Sequence, residues 1–381
     1  MAKSSKDFRS PGQFIRAQLE ERGWTQRFLA LVLGIEESVV NKLVLDNRAV
    51  SAEMAIRLSE VFRVDAETVL SLQKSYDLAK ARITTQPDPS RATRAQLLGM
   101  LPVREMIRRG WLDVPNAKDL PAVEKALANF FGANSFEEIE ILTHAAKKTN
   151  VTADVTPIQF AWLHRVRGIA TQVIVRRYSQ AAVRSAVNKL NSLRLSVEKT
   201  RRVPRILAGC GIRFVVVESL PGAKIDGVCF WLNDMAPVIG MTLRHDRIDN
   251  FWFVLRHEIE HVLRGHGHSR VMIDAELEGD RAGIGEALPE AERIANEAAA
   301  DFCVPRVEMD RFYSRKSPFF AERDILEFAT TLNVHPGLVA GQLQHRTGRY
   351  DRFREHLAEI RSIIAPSAAV DGWGDVFPVN G

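Results

Sequence analysis

The chain has 381 residues, with 52 Lys and Arg against 47 Asp and Glu, a net charge of +5. At roughly 150 residues per domain this length predicts two to three domains, and a charge so near balance does not by itself argue for nucleic acid. Three cysteines without CxxC spacing (Cys210, Cys229, Cys303), a polar N-terminus and no run of about 18 apolar residues argue against a disulfide scaffold, secretion or membrane spanning, and predict a cytoplasmic protein.

Residues 1–82 read as a small all-α domain. Phe14, Ile15 and Leu19 share a helical face that stops at Arg22-Gly23. Thr25 caps a second helix through Leu29, Ala30 and Val32, Leu33-Gly34-Ile35 turns, a third helix runs from about Glu36 to Leu45, and Ser51 caps a fourth with Met54, Ala55, Leu58 and Phe62. Helix, short turn with Gly, helix is the arrangement that lays its second helix in the DNA major groove. Thr25-Gln26, Leu29-Ala30, Leu33-Gly34-Ile35, Val39-Val40, Asn41-Lys42-Leu43 and Arg48 resemble the XRE-type helix-turn-helix, close to the HigA antitoxin branch. The resemblance spans about residues 10–75. It implies an operator DNA partner, bound as a homodimer, with Gln26, Ser38, Asn41 and Lys42 facing it. Asn can read adenine through two hydrogen bonds, while Lys holds phosphate. Glu36-Glu37 suits a helix N-terminus but repels phosphate.

Residues 83–199 read as a helical middle region of spacing or partner-binding role. Gln86-Pro87-Asp88-Pro89-Ser90 is a linker by composition, and helical patterns follow around Leu97 to Arg109, Pro121 to Phe131 and Phe136 to Leu142. His144 and His164 read as structural. From Arg165 to Arg205 eleven basic residues face Glu198 alone, on a helical pattern with Ile169, Val173, Val183, Val187, Leu190 and Leu193 as core. Such a stretch is a solvated or packing face, or a surface for phosphate or an acidic partner.

From residue 200 to 365 the pattern changes to strands and then helices. Residues 212–217, 227–232 and 238–243 read as strands of a small antiparallel sheet, with turns at Leu220-Pro221-Gly222 and Asn233-Asp234. An extended peptide can add to such a sheet as an edge strand. His257-Glu258-Ile259-Glu260-His261 follows an apolar lead of Phe251 to Leu255. Histidines four apart share one helix face, so both can ligate one Zn²⁺, and Glu258 between them can act as a general base on water. A third ligand is needed, and Glu292 and Glu297 compete for it. Five residues apart, they point roughly 140° from each other around a helix, so at most one faces the metal, and spacing alone leaves the choice open. Asp274 to Glu290, acidic with Gly279, Gly283 and Gly285, reads as a lid or a solvated loop. His266 and His268 are candidates for an extra ligand or a proton donor, or are plain surface histidines.

His257 to His261, followed by the run from Glu292 through Asn296 to Pro305, resembles the ImmA/IrrE family of zinc peptidases, whose motif is HExxH and then ExxA(N/D)xxAxxxxxP. Glu260 and Ala298 depart from it, standing where the family has a small residue and an aromatic. The resemblance covers about residues 200–345. It implies a zincin-like fold, Zn²⁺ on His257, His261 and Glu292, Asn296 hydrogen-bonded to a ligating histidine, and Glu258 as the catalytic base. It also implies a regulatory protein substrate, a repressor cut in stress or mobile-element control. Residues 366–381, rich in Gly and Pro, are expected to be a disordered tail. The fold class expected is therefore α+β: a helix-turn-helix domain, a helical middle and a zincin-like domain with its HExxH helix. The expected function is a transcriptional regulator carrying a zinc metallopeptidase. The alternative is a HigA-like antitoxin or repressor whose zinc domain senses without turnover.

Overall fold

The computed structural model describes residues 8–86, 88, 91–136, 138–139, 155–268, 271–275, 289–372 and 375–377. It divides into two compact units, Met1–Arg91 and Ala92–Gly381. The first unit holds α1 (Pro11–Arg22), α2 (Gln26–Leu33), α3 (Glu37–Val44), α4 (Ala52–Phe62) and α5 (Ala66–Thr84). Local chemistry sets these limits. Ser10, Thr25 and Ser51 each accept a backbone N–H at a helix start, and Gly23 and Gly34 end α1 and α2 in the left-handed conformation that costs glycine little. Ile15, Leu29, Val40, Leu43, Leu58 and Phe62 close the core. Asp46 ties α1 to the end of α3, its carboxylate accepting from the Gly12 amide at 2.7 Å and the Ser10 hydroxyl at 2.5 Å. This unit runs to Arg91, and α5 extends past residue 82 to Thr84.

The second unit begins with α6 (Arg91–Met100), α7 (Val103–Arg108), α8 (Leu120–Phe131), α9 (Pro157–Gln172), α10 (Gln180–Asn191) and α11 (Val203–Gly209). Strands β1 (Arg213–Val217), β2 (Ile225–Trp231) and β3 (Pro237–Met241) precede α12 (Ile248–Arg264) and β4 (Met272–Ala275). Then come α13 (Glu290–Cys303), α14 (Arg306–Lys316), α15 (Glu322–Leu332), α16 (Pro336–Thr347), the turn of helix α17 (Arg361–Ile364), β5 (Ala369–Gly372) and β6 (Asp375–Phe377). The strands form one six-stranded sheet in the order β4-β2-β3-β1-β5-β6. It is mixed, not antiparallel as the hairpin-like spacing predicts: β1 runs parallel to both β3 and β5, while β2–β3, β2–β4 and β5–β6 are antiparallel.

A sheet with parallel strands needs cover on both faces. Alternating strand residues supply it: Phe214, Val216, Cys229 and Ile239 pack with Trp252, Leu255 and Ile259 of α12 on one face. Val215, Val217, Val228, Phe230 and Val238 pack with Leu97, Met106, Leu127, Trp162 and Val166 on the other. The middle region is therefore not a spacer between domains but one layer of this unit, and Trp162 donates its indole N–H to the Val217 carbonyl at 3.1 Å. Part of the expected disordered tail is ordered here, since Ala369, Val370 and Asp371 pair with β1; residues 373–374 and 378–381 lie outside the described residues. Apolar Ala369 and Val370 point into the two opposite cores. The basic stretch is partly structural. Arg165 pairs with buried Asp371, Arg167 lies 5.7 Å over the Phe230 ring, and Arg194 donates to the carbonyls of Phe302 and Cys303.

His164 is structural as read, packed at 5.2 Å from both Phe131 and Phe160 with its pKa lowered by burial. All three cysteines are buried and none forms a disulfide, and burial pushes the Cys210 thiol up to about 11. His144, most of the Phe136 to Leu142 pattern and most of the acidic Asp274 to Glu290 segment lie outside the described residues. Among the described residues no helix is long and apolar enough to cross a membrane. α9 packs close on the sheet at Gly240, where an added Cβ would come within 2.8 Å of the Val166 and Val228 methyls. Gly240→Ala is expected to lower stability by about 1–3 kcal/mol through overpacking, read as an earlier denaturant midpoint at unchanged m-value.

Candidate metal centre and helix-turn-helix face

α12 carries the histidines in the middle of a buried helix. It stops at Gly265, left-handed at φ 69°, where the His266 amide donates back to the His261 carbonyl at 2.9 Å. His257 and His261 are fully buried, with their Nε2 atoms 2.9 Å apart. Glu292, in the first turn of α13, closes the third side. Its carboxylate oxygens lie 3.3 Å from His257 Nε2 and 3.6 Å from His261 Nε2. One ligand atom from each of the three falls within 4.8 Å of the others. Burial pushes the Glu292 carboxyl up, but the two imidazoles outweigh this and hold it well below the usual range.

Glu297 is elsewhere. Its carboxylate pairs with Arg293 at 2.8 Å, with both side chains more than half exposed. Of the two competing carboxylates, the fold brings Glu292 to the histidines and leaves Glu297 in solvent. Asn296 Oδ1 lies 2.9 Å from His257 Nδ1. Glu260 turns away to an ion-pair ladder with Arg256 (2.8 Å) and Arg264 (2.9 Å) within its own helix.

Glu258 is fully buried, its carboxylate lying against the backbone of Gly227 on β2. A Cβ at Gly227 would overlap that carboxylate. Absence of a side chain on one strand residue thus makes the niche for Glu258, a role that sequence reading missed. Glycine inside an apolar strand is the signal that could have found it. His268 stacks on Trp231 at 3.8 Å and lies outside the cluster, 3.8 Å from Asp234. His266 reaches it from outside, Nδ1 to Nδ1 with His261 at 2.9 Å, and burial, then His261, lowers its pKa.

In the first unit, Gln26 opens α2 and Asn41 and Lys42 lie on α3, all at the surface. The Asn41 amide donates to the Gln26 side-chain oxygen at 3.3 Å, which brings these two candidates together across the turn. Exposed Ser38 donates instead to Glu36 at 3.0 Å. Lys42 is an exposed cation beside them.

A helix-turn-helix family model matches residues 15–69. The chain is 35% identical over 72 residues to "Virulence-associated protein I" of Dichelobacter nodosus, covering 19% of this chain and 67% of that protein. It is 34% identical over 84 residues to the "Uncharacterized HTH-type transcriptional regulator YddM" of Escherichia coli (strain K12), 22% of this chain and 87% of the relative. A solved structure from Pseudomonas aeruginosa, of a protein in complex with its operator DNA, is 36% identical, covering 20% of this chain and 82% of its own, with a TM-score of 0.19. Through its first unit, the chain belongs to the helix-turn-helix family.

Proposed function

We propose that this protein is a DNA-binding transcriptional regulator whose second unit is a zinc-dependent peptidase acting on a regulatory protein. For DNA binding, the supporting observation is the exposed Gln26–Asn41 pair with Lys42 beside it, on the two helices of a helix-turn-helix. Lys42 meets phosphate and Asn41 a base edge. In gel shifts of the full chain across a salt series, Lys42→Ala weakens binding to specific and scrambled duplexes alike and reduces the salt slope by about 1. Asn41→Ala costs about 1–3 kcal/mol of discrimination on a palindromic site bound by a dimer. Unchanged binding in both variants means that the face carrying Glu36 and Glu37 docks protein instead.

For the peptidase, the supporting observation is the convergence of His257, His261 and Glu292 with buried Glu258 on the same helix. Two imidazole nitrogens and one carboxylate are the donor set of a catalytic zinc site, and zinc bound there would polarise a scissile carbonyl and acidify water. Glu258 takes the proton of the attacking water at a carboxylate oxygen and later delivers it to the leaving amine. His257, His261 and Glu292 would hold the ion. β4 lies at the edge of the sheet next to β2, which carries the Glu258 niche, so an extended substrate chain would add there. The resemblance to ImmA/IrrE peptidases suggests a repressor as that substrate.

Incubating the zinc-loaded protein with extract of its own cells is expected to release fragments of one or a few proteins, and chelation to stop it. Full burial of both histidines favours a second reading, a repressor or antitoxin whose metal is sensed rather than used. Zinc uptake that changes DNA affinity, with no fragment released, selects that reading.

A further inference from the structure

Both candidate ligand imidazoles are held from behind, and by different residue types. His257 uses Nε2 toward Glu292 and has Asn296 Oδ1 2.9 Å from its Nδ1. A carboxamide oxygen can only accept, so Nδ1 of His257 carries a proton, and in the neutral ring Nε2 then has the lone pair a metal needs. His261 faces the same requirement, with Nε2 toward Glu292 and His266 Nδ1 at 2.9 Å from its Nδ1. Two ring nitrogens can share one hydrogen bond only if one donates and the other accepts. For His261 to offer a lone pair at Nε2, its Nδ1–H must donate, and His266 must accept at Nδ1 and hold its own proton on Nε2.

The backbone fixes His266 in that place. Its amide is bound to the His261 carbonyl, and its carbonyl accepts the Trp231 indole N–H at 2.8 Å. Gly265 and Gly267 on either side are left-handed at φ 69° and 88°, and a Cβ on Gly267 would come within 2.9 Å of the Cys229 carbonyl. The turn therefore packs flat on β2 and returns the imidazole of residue 266 toward the helix it has just left.

From this geometry we infer that His266 is a positioning residue for the metal centre: it accepts the Nδ1–H of His261, selects the tautomer with a free Nε2, and so does for His261 what Asn296 does for His257. The inference rests on the zinc reading above and assigns His266 neither a place on the metal nor a proton-transfer step. Partners of this kind typically contribute 10–100-fold to metal affinity, an order-of-magnitude figure.

The test uses the purified full chain, zinc alone as probe, and competition with chelators of graded strength. His266→Phe keeps a flat ring but removes the acceptor, and is expected to weaken zinc by about 10–100-fold. His266→Gln restores a carbonyl acceptor, as Asn296 provides it, and is expected to recover most of that loss. Thermal unfolding of the metal-free proteins should coincide, which separates aim from folding. Nitrogen-15 spectra of the histidine rings should show the His261 proton on Nδ1 in the zinc-loaded wild type. Should wild type and Glu292→Ala take up zinc equally poorly, the metal reading falls and this inference with it. Should wild type bind tightly and Glu292→Ala not, while His266→Phe binds like wild type or His266→Gln fails to recover, only the positioning role falls.

Discussion

Glu258→Gln is expected to retain zinc and lose turnover by about 10²–10⁴-fold, the usual contribution of a positioned general base. The substitution changes one atom and no volume, which matters in this niche. The carboxylate lies against Gly227 with the Val254 methyl close by, and a bulkier or shorter side chain would perturb packing as well as chemistry. His257, His261 and Glu292 are untouched, so the metal stays. Elemental analysis after dialysis reads the metal, and the rate of fragment release from the substrate identified in extract reads the chemistry. Equal cleavage rates in the two proteins would dismiss Glu258 as the base, whatever the fate of the metal.

Glu292→Ala and Glu297→Ala are expected to part company by at least two orders of magnitude in zinc affinity. Loss of Glu292 removes a carboxylate within reach of both imidazoles, and a missing ligand should cost more than the roughly 10–100-fold that follows loss of a residue merely supporting one. Glu297→Ala removes an exposed ion pair with Arg293, an i,i+4 contact worth about 0.3–0.5 kcal/mol, and should leave the metal in place. Zinc content measured after equal dialysis against a weak chelator discriminates the pair. A loaded Glu292→Ala protein beside an empty Glu297→Ala one would reverse the assignment.

The two residues also mark where sequence reading runs out. Helical periodicity limits the choice to one of them but does not say how α13 is rotated against α12. That rotation follows from burial of Ala295, Ala299 and Cys303, which turns Glu292 inward and Glu297 out. His266 was a candidate from the sequence, but its place was not legible for the same reason: five residues beyond His261 and past the end of the helix, it returns because Gly265 and Gly267 reverse the chain and Trp231 catches its carbonyl. The apolar runs Phe214 to Val217 and Val228 to Trp231 did hold a signal that was passed over. A strand without polar alternation is buried on both faces, and this predicts both parallel neighbours and a second helical layer.

What the sequence by itself determined is local: the capped helices and glycine turn of the first unit, the three central strands, and two histidines on one face of a helix. Each of these depends on residues within a turn or two of one another, where dihedral preference, capping and periodicity act directly. Which carboxylate joins the histidines, why Gly227 must lack a side chain, how residues 92–199 cover the sheet, and that Ala369–Gly372 pairs beside β1 were decided only in the tertiary structure. They depend on contacts between segments far apart in sequence, as between Arg165 and Asp371, whose register is set by filling two cores at once, and no local preference encodes that.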